Sequence, residues 1–474
     1  MKPIVVWFRR DLRTHDQAAL YQAAKIGAPV IPLFVFDSDL IRRLPSDGAA
    51  FDFQAESLRE LQKNIRSLGG TLIVRHGKAK TVHAEILREM SPAALYFNRD
   101  YEPSARTRDA EITKLYESHD VEVLTFKDSV LLEPEEVLTG EGKPYVVFTP
   151  YANAWKKLSK PLPFGNCPAF STPRMKSEAI LSADSLQREV AITSRDVFGG
   201  ESEARKRWKT FLKNHLEAYQ SGRDIPAVDG TSRMSPYLRF GCISVRHMLN
   251  DCYEVFARTT AGGKIGITKF VDELIWREFY QAVLFHFPQL VTSNYRKRFD
   301  EMPWKFSRRT FEAWKHGRTG YPLVDAGMRQ LNQTGWMHNR VRMVVASFLT
   351  KDLMHDWKLG AEYFEQKLID IETASNNGGW QWSAATGVDP KPLRIFNPRL
   401  QSERFDPEGT YIRRFVPELA QVPKKHIHAP HEMPLTLQKE LGCVIGKHYP
   451  APIVDHAAAA AEYKINFAAL KKAE

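Results

Sequence analysis

The stretch from Gly320 to Pro398 opens as GYPLVDAGMRQLNQTGWMHNRVRMVVASFLTKDL (Gly320–Leu353), continues through SNNGGWQWSAATG (Ser375–Gly387) and closes on RIFNP (Arg394–Pro398). It sets Trp336, Trp357, Trp380 and Trp382, with Asn339, Arg340, Arg342, Asn376 and Asn377, among apolar residues. On a helix, Asn339, Arg342 and Met343 stand at i, i+3 and i+4 and share one face. That face is polar and cationic inside a run apolar enough to be buried, and buried polar groups need partners. Two readings fit. The helix is packed in a core with its Arg and Asn satisfied by neighbours, or it lines a pocket for a polar, anionic guest.

Outward from this stretch, helical periodicity dominates from Glu201 to the end, which predicts an all-α domain over 201–474. Residues 1–132 read differently. Ile4–Phe8, Val30–Phe36, Thr71–Arg75, Ala94–Phe97 and Val121–Phe126 are short apolar, β-branched runs. Between them Phe53–Leu68, Val82–Met90 and Ala105–Ser118 read as amphipathic helices. Alternation of this kind predicts an α/β domain on a parallel sheet. No GxGxxG follows a strand, so the nicotinamide-type fingerprint is missing, and Gly262, Gly263 and Gly266 lack the GK[ST] ending of a phosphate loop. Residues 133–200, rich in Pro, Gly, Ser and Lys, read as a long interdomain connector, either functional or draped over a surface.

The 474 residues predict two or three domains, and 43% hydrophobic content is ample for a core. No run is long and apolar enough for a membrane span, and the N-terminus lacks a signal-peptide pattern. Cys167, Cys242, Cys252 and Cys443 are far apart with no metal-ligand spacing, which predicts reduced thiols and a cytoplasmic protein. The net charge of +11 favours a polyanionic partner such as nucleic acid, although a generic basic enzyme has the same balance.

Three further motifs carry chemistry. Asp229-Gly-Thr-Ser-Arg-Met-Ser235, followed by Pro236, places hydroxyls and backbone amides ahead of a helix, as an anion cradle does and as a plain N-cap also does. Glu273, Trp276, Arg277 and Tyr280 fall at i, i+3, i+4 and i+7, a helical stripe that mixes ions with an indole. Such a stripe is a surface ion pair beside a half-buried Trp, or a stacking platform for an extruded base. Seven of the ten Trp residues, Trp276, Trp304, Trp314, Trp336, Trp357, Trp380 and Trp382, fall in the C-terminal half. Any one of them is ordinarily core filling.

The runs TGYPLVDAGMRQL, TGWMHNRVRM and NNGGWQW, with VVWFRRDLR near the start and YPAPIVDH near the end, resemble the photolyase/cryptochrome family. Within it they are most similar to bacterial class I cyclobutane pyrimidine dimer photolyases. The resemblance spans nearly the whole chain. It implies an N-terminal antenna domain and a helical domain that binds FAD, active as the reduced anion.

By that resemblance Tyr219, Thr231, Ser232, Arg233, Met234, Ser235, Arg277, Arg342, Asp370, Glu372 and Asn376 hold the flavin, with Asn376 facing its N5. The family's usual Asp-Gly-Asp is here Asp370-Ile371-Glu372, so the second carboxylate departs from the pattern. Trp380, Trp357 and Trp304 become an electron-hopping chain, with Trp304 at the solvent end. Glu273, Trp276, Tyr280, Asn339, Met343 and Trp382 line a pocket for the dimer. Arg223, Arg340, Arg394 and Gln401 face the DNA. His338 is a structural hydrogen-bonder, and Asn339 after it, where six-four photolyases tend to carry a second His, favours the cyclobutane dimer. Asn376, where plant cryptochromes have Asp, favours repair over signalling.

The implied activity is light-driven lyase repair of ultraviolet-damaged DNA, double- or single-stranded, by a monomer. The alternatives are a cryptochrome-like blue-light sensor and a glycosylase-type repair enzyme. A second, light-harvesting chromophore is expected: 5,10-methenyltetrahydrofolate at Tyr101 and Glu102, or a deazaflavin or second flavin. No metal is expected.

Overall fold

The computed structural model describes residues 1–43, 48–188, 190, 192–389 and 393–471. Five strands form one parallel sheet: β1 (Ile4–Phe8), β2 (Val30–Asp37), β3 (Ile73–Gly77), β4 (Ala94–Asn98) and β5 (Glu122–Phe126), in the order β3-β2-β1-β4-β5. All four pairings are parallel, with Ile4 opposite Val30 on one side of β1 and Ala94 on the other. Helices cover both faces, so the central strand can be apolar at every position. Ile4, Val6 and Phe8 enter one core while Val5 and Trp7 enter the other, as the two-residue period of a strand requires. The three helices expected between strands are present as Ala49–Ser67, Ala79–Met90 and Pro103–Glu117; two more, Ala18–Lys25 and the short Ser38–Arg43, were not read from the sequence.

The connector is draped over this domain. Phe170 N–H donates to Leu68 O at 3.0 Å, Val30 N–H to Ser171 O at 2.8 Å, and Glu178 N–H to Val74 O at 2.8 Å. It also holds a helix, Phe148–Lys157, where few periodic stretches were expected. That helix docks through Trp155, whose indole N–H donates to the buried Glu278 at 3.0 Å.

Among the described residues no strand follows β5, so 201–474 is helical as expected. One continuous core runs from β1 through the connector to Phe270, Phe279 and Val388, joining the α/β and helical parts. A second core holds the 320–364 stretch with Trp380, Tyr411 and Tyr449. Buried ions add to the seam between the parts: Arg13 and Arg246 share Asp128 at 2.6 and 2.7 Å. No helix of the described residues is long and apolar enough to cross a membrane. All four cysteines are free thiols, and no group of metal-ligating side chains is found among the described residues.

Candidate flavin and lesion site

Four segments converge. The first is the 229–235 loop. Its Gly230 lies so close to the backbone of Gly222 that a Cβ would collide, which seats the loop on the turn after Tyr219. Met234 is buried while Thr231, Ser232 and Ser235 keep access to their surroundings. The helix that follows, Ser235–Arg239, has only five residues, too few for a developed dipole. An anion here would be held by hydroxyls and loop amides rather than by the helix end. Arg233 has a left-handed φ of 49°, stacks its guanidinium 4.7 Å above Trp336 and lies 3.4 Å from Asp229.

The second segment is the Asn339–Ser347 helix. His338 caps it, its Nδ1 accepting from Arg340 N–H at 3.2 Å, which is the structural role expected of it. Burial drives the His338 pKa down to about 4, so the ring is neutral and the cap stays an acceptor. Arg342 donates to Met337 O at 2.8 Å and to Asp370 Oδ2 at 2.8 Å; Ser235 Oγ donates to the same carboxylate oxygen at 2.6 Å. Asp370 Oδ1 is buried with no protein partner. A buried carboxylate oxygen left bare is costly, and a donor on a bound ligand would satisfy it. The hydroxyls of Ser232 and Ser235, the Arg342 guanidinium and this unpartnered oxygen suit a flavin dinucleotide, which carries phosphates, hydroxyls and an imide N–H.

The third segment is the Ala261–His286 helix. Arg277 reaches Glu372 Oε1 at 2.8 Å, and Gln281 Nε2 donates to the same oxygen at 2.9 Å. Arg10, from the end of β1, arrives there too at 3.2 Å, and Ser375 Oγ donates to Oε2 at 3.1 Å. Burial opposes ionisation of Glu372, but Arg277, Arg10 and Arg239 hold its pKa below the usual carboxylate range. Four protein donors thus hold the Glu372 carboxylate, and it fixes Arg277. Arg10 in turn pairs with Glu102 at 2.8 Å, and Glu102 accepts from Thr373 N–H at 3.2 Å. Tyr101 and Glu102, expected to meet a folate, line a pocket of about 10 Å³ with Gln281 and Glu372.

The fourth segment is the Thr373–Ser383 helix. Asn376 Nδ2 donates to Ala361 O at 3.1 Å, so its oxygen is the side left to accept. Gly378 lets Tyr280 lie against this helix, where a Cβ would strike the ring. Gly360 does the same for Trp380, seating that indole on the Trp357–Lys367 helix. Trp380 is 2% exposed with an unpartnered N–H, Trp357 is 1% exposed and donates to Asn294 Oδ1 at 2.8 Å, and Trp304 is half-buried. Of the three, Trp304 is the most accessible. Trp314, read as core, is a ring neighbour of Trp380 at 6.1 Å.

Trp276 and Trp382, expected to line the lesion pocket, are half-buried. Glu273 is paired with Arg223, and Arg340 with Asp224. Asn339 and Arg394 are exposed, and Asn339 Nδ2 lies 3.9 Å from Met343 Sδ. Gln401 Oε1 is buried without a partner. Sequence reasoning missed Arg10, brought in from the end of β1, and also Asp224 and Gln281, which neighbour residues it had singled out.

Two family models match this chain: DNA photolyase over residues 4–169, and the FAD binding domain of DNA photolyase over residues 270–469. A protein of Agrobacterium fabrum named deoxyribodipyrimidine photo-lyase is 38% identical over 477 residues, covering 99% of this chain and 98% of that one. The solved structure of a class III photolyase from Agrobacterium tumefaciens superposes with a TM-score of 0.92 at 37% identity, over 100% of this chain and 98% of that one. Its class differs from the class I to which the motifs were likened. A Synechocystis cryptochrome superposes with a TM-score of 0.89 at 29% identity, over 98% of this chain and 99% of that one.

Proposed function

This chain belongs to the photolyase/cryptochrome family, and we propose that within it the protein is a deoxyribodipyrimidine photo-lyase that repairs cyclobutane pyrimidine dimers under blue light. The observation that carries the reading is Asn376, whose amide nitrogen is spent on Ala361 O and whose oxygen is left to accept. A neutral acceptor can meet a protonated N5 without adding charge beside a reduced, anionic ring. When bound and reduced, FAD supplies the excited electron that opens the two carbon–carbon bonds of the dimer and takes it back, with no net redox change.

The chain's own residues bind, orient and exclude water. Tyr219, Thr231, Ser232, Met234 and Ser235 hold the cofactor together with Arg342 and Asp370, to which Ser235 is bonded. Arg233 and Arg277 supply positive charge, Arg277 being held in place by Glu372. Trp276 and Trp382 stack on a lesion turned out of the duplex, with Glu273, Tyr280, Asn339 and Met343 around it. Extrusion of a damaged base is a step for which photolyases are a standing example. Arg223, Arg340, Arg394 and Gln401 meet the DNA backbone, in double or single strands. Trp304, Trp357 and Trp380 relay electrons inward to restore the reduced cofactor.

We place 1–132 as the antenna domain, 133–200 as connector and 201–474 as the catalytic domain, in a cytoplasmic monomer. A second chromophore, folate or deazaflavin, remains part of the proposal. At Tyr101 it would have to displace the Arg10–Glu102 pair.

The test is an absorption spectrum of purified protein before and after blue light with a thiol, followed by a dimer-repair assay. A flavin spectrum with light-dependent loss of dimers is expected. A flavin spectrum with no repair would favour the sensor reading, which the Synechocystis neighbour keeps in view. No flavin at all would overturn both.

A further inference from the structure

Phe148 begins the Phe148–Lys157 helix of the connector, outside every segment so far given a part in the site. Its ring lies on Trp276 with centroids 3.6 Å apart and planes 4° from parallel. Parallel overlap that close is uncommon, since aromatic pairs prefer offset or edge-on packing. It needs something to hold both rings. Trp276 is held by its helix and by Phe279, edge-on at 5.6 Å. Phe148 is held by its backbone: its N–H donates to Asp389 Oδ1 at 3.4 Å, and Asp389 N–H donates to Val146 O at 2.9 Å. Asp389 sits in the loop that follows Trp382, with a left-handed φ of 51°. One short connector segment thus touches the Trp276 ring and ties down the loop after Trp382.

We propose that Phe148 is a positioning residue for lesion binding: it covers one face of Trp276, fixes that indole's angle and leaves its other face for the extruded pyrimidines. The proposal rests on the assignment of Trp276 to the lesion. It gives the connector a second task beyond joining domains. Without Phe148 the Trp276 ring can turn about its side-chain torsions and is no longer preorganised for stacking.

The test is a double-mutant cycle on full-length protein in the dark, reading affinity for dimer-containing and undamaged duplexes. Phe148→Ala should lose roughly two- to tenfold on damaged DNA, the scale of one aromatic pair, and nothing on undamaged DNA. Phe148→Tyr should restore the ratio. In a Trp276→Ala background, Phe148→Ala should have no further effect. Phe148→Leu keeps bulk without a flat face and serves if the Ala variant folds poorly; it should lose discrimination too. Equal losses on both duplexes, or an undiminished loss in the Trp276→Ala background, would overturn the proposal while sparing the Trp276 assignment. A Trp276→Ala protein that discriminates like wild type would overturn the assignment, and the proposal with it.

Discussion

Arg340 donates twice to one oxygen of Asp224, from Nε at 3.2 Å and Nη2 at 2.7 Å, and Arg223 approaches that same oxygen at 3.8 Å. Two cations expected at DNA phosphates are thus gathered by one carboxylate that no motif signalled. Phosphate contacts set the salt dependence of binding, about 0.9 in the log–log slope for each charge neutralised on duplex DNA. Arg340→Ala, Arg223→Ala and Arg394→Ala should each make that slope shallower by about one. Asp224→Asn, which removes a competing anion, should raise affinity for any sequence at low salt. Titrations across a salt series decide it: three Arg variants with wild-type slopes would remove this face from the DNA interface.

Trp304 should act at the outer end of the relay. It is half-buried and packs beside Met302 and Tyr463, whereas Trp357 and Trp380 are sealed in. Trp304→Phe keeps the shape and removes the readily oxidised indole. Light-driven reduction of the oxidised cofactor should fall to a small fraction of wild type. Dimer repair by chemically pre-reduced protein should survive. Ordinary photoreduction in this variant would send the route elsewhere, and Trp314, against Trp380, would be the next indole to test.

His338 gives a pH dependence with a definite sign. Burial lowers its pKa from 6.5 to about 4 in the folded protein. Between those values the unfolded chain binds a proton that the native one refuses, so stability falls as pH drops from 6.5 toward 4. The contribution is at most about 1.4 kcal/mol for each unit of that window. His338→Asn retains a capping oxygen and does not titrate. Urea midpoints at neutral and mildly acidic pH should therefore differ less for the variant than for wild type. An identical acid loss in both proteins would mean that His338 is protonated in the fold.

Much of the fold was readable in the chain because burial leaves a local mark. Strands buried on both faces must be apolar, and β1 is throughout, as β2 and β4 are up to their last residues, Asp37 and Asn98. The Ala18–Lys25 helix was harder to see because its eight residues, about two turns, are too few to show a period. The candidate site was legible where several functional residues share one helix, as Glu273, Trp276, Arg277 and Tyr280 do. It was illegible where a partner comes from far along the chain. Glu372 meets Arg10 only because the sheet and the helical domain share a core, and Phe148 meets Trp276 only because Asp389 holds its backbone. A periodicity in the connector would not have shown either contact.

Asn376 offers the sharpest separation of repair from sensing. Its side-chain nitrogen faces Ala361 O and the carboxyl of Glu365, and burial, then Glu102 and Glu362, raise the Glu365 pKa, with the Asn376 hydrogen bond pulling the other way. Asn376→Asp would remove that donor and set a second carboxyl against the first. Two carboxyls in contact in a poorly solvated site do not both ionise, so one must take up a proton. A reduced flavin carries its own negative charge, which adds to the same repulsion. The variant should therefore stop short of the two-electron-reduced cofactor under light with thiol, and lose most repair. It should still bind damaged DNA in the dark, because Trp276 and Trp382 are untouched. Asn376→Ala, which removes the bond without adding charge, should show a milder loss. Glu365→Gln combined with Asn376→Asp should recover part of the reduction, since it removes the paired carboxyl. Visible spectra during illumination, then repair by fully reduced protein, measure both. Full reduction and wild-type repair in Asn376→Asp would show that this side chain does not face the reacting ring.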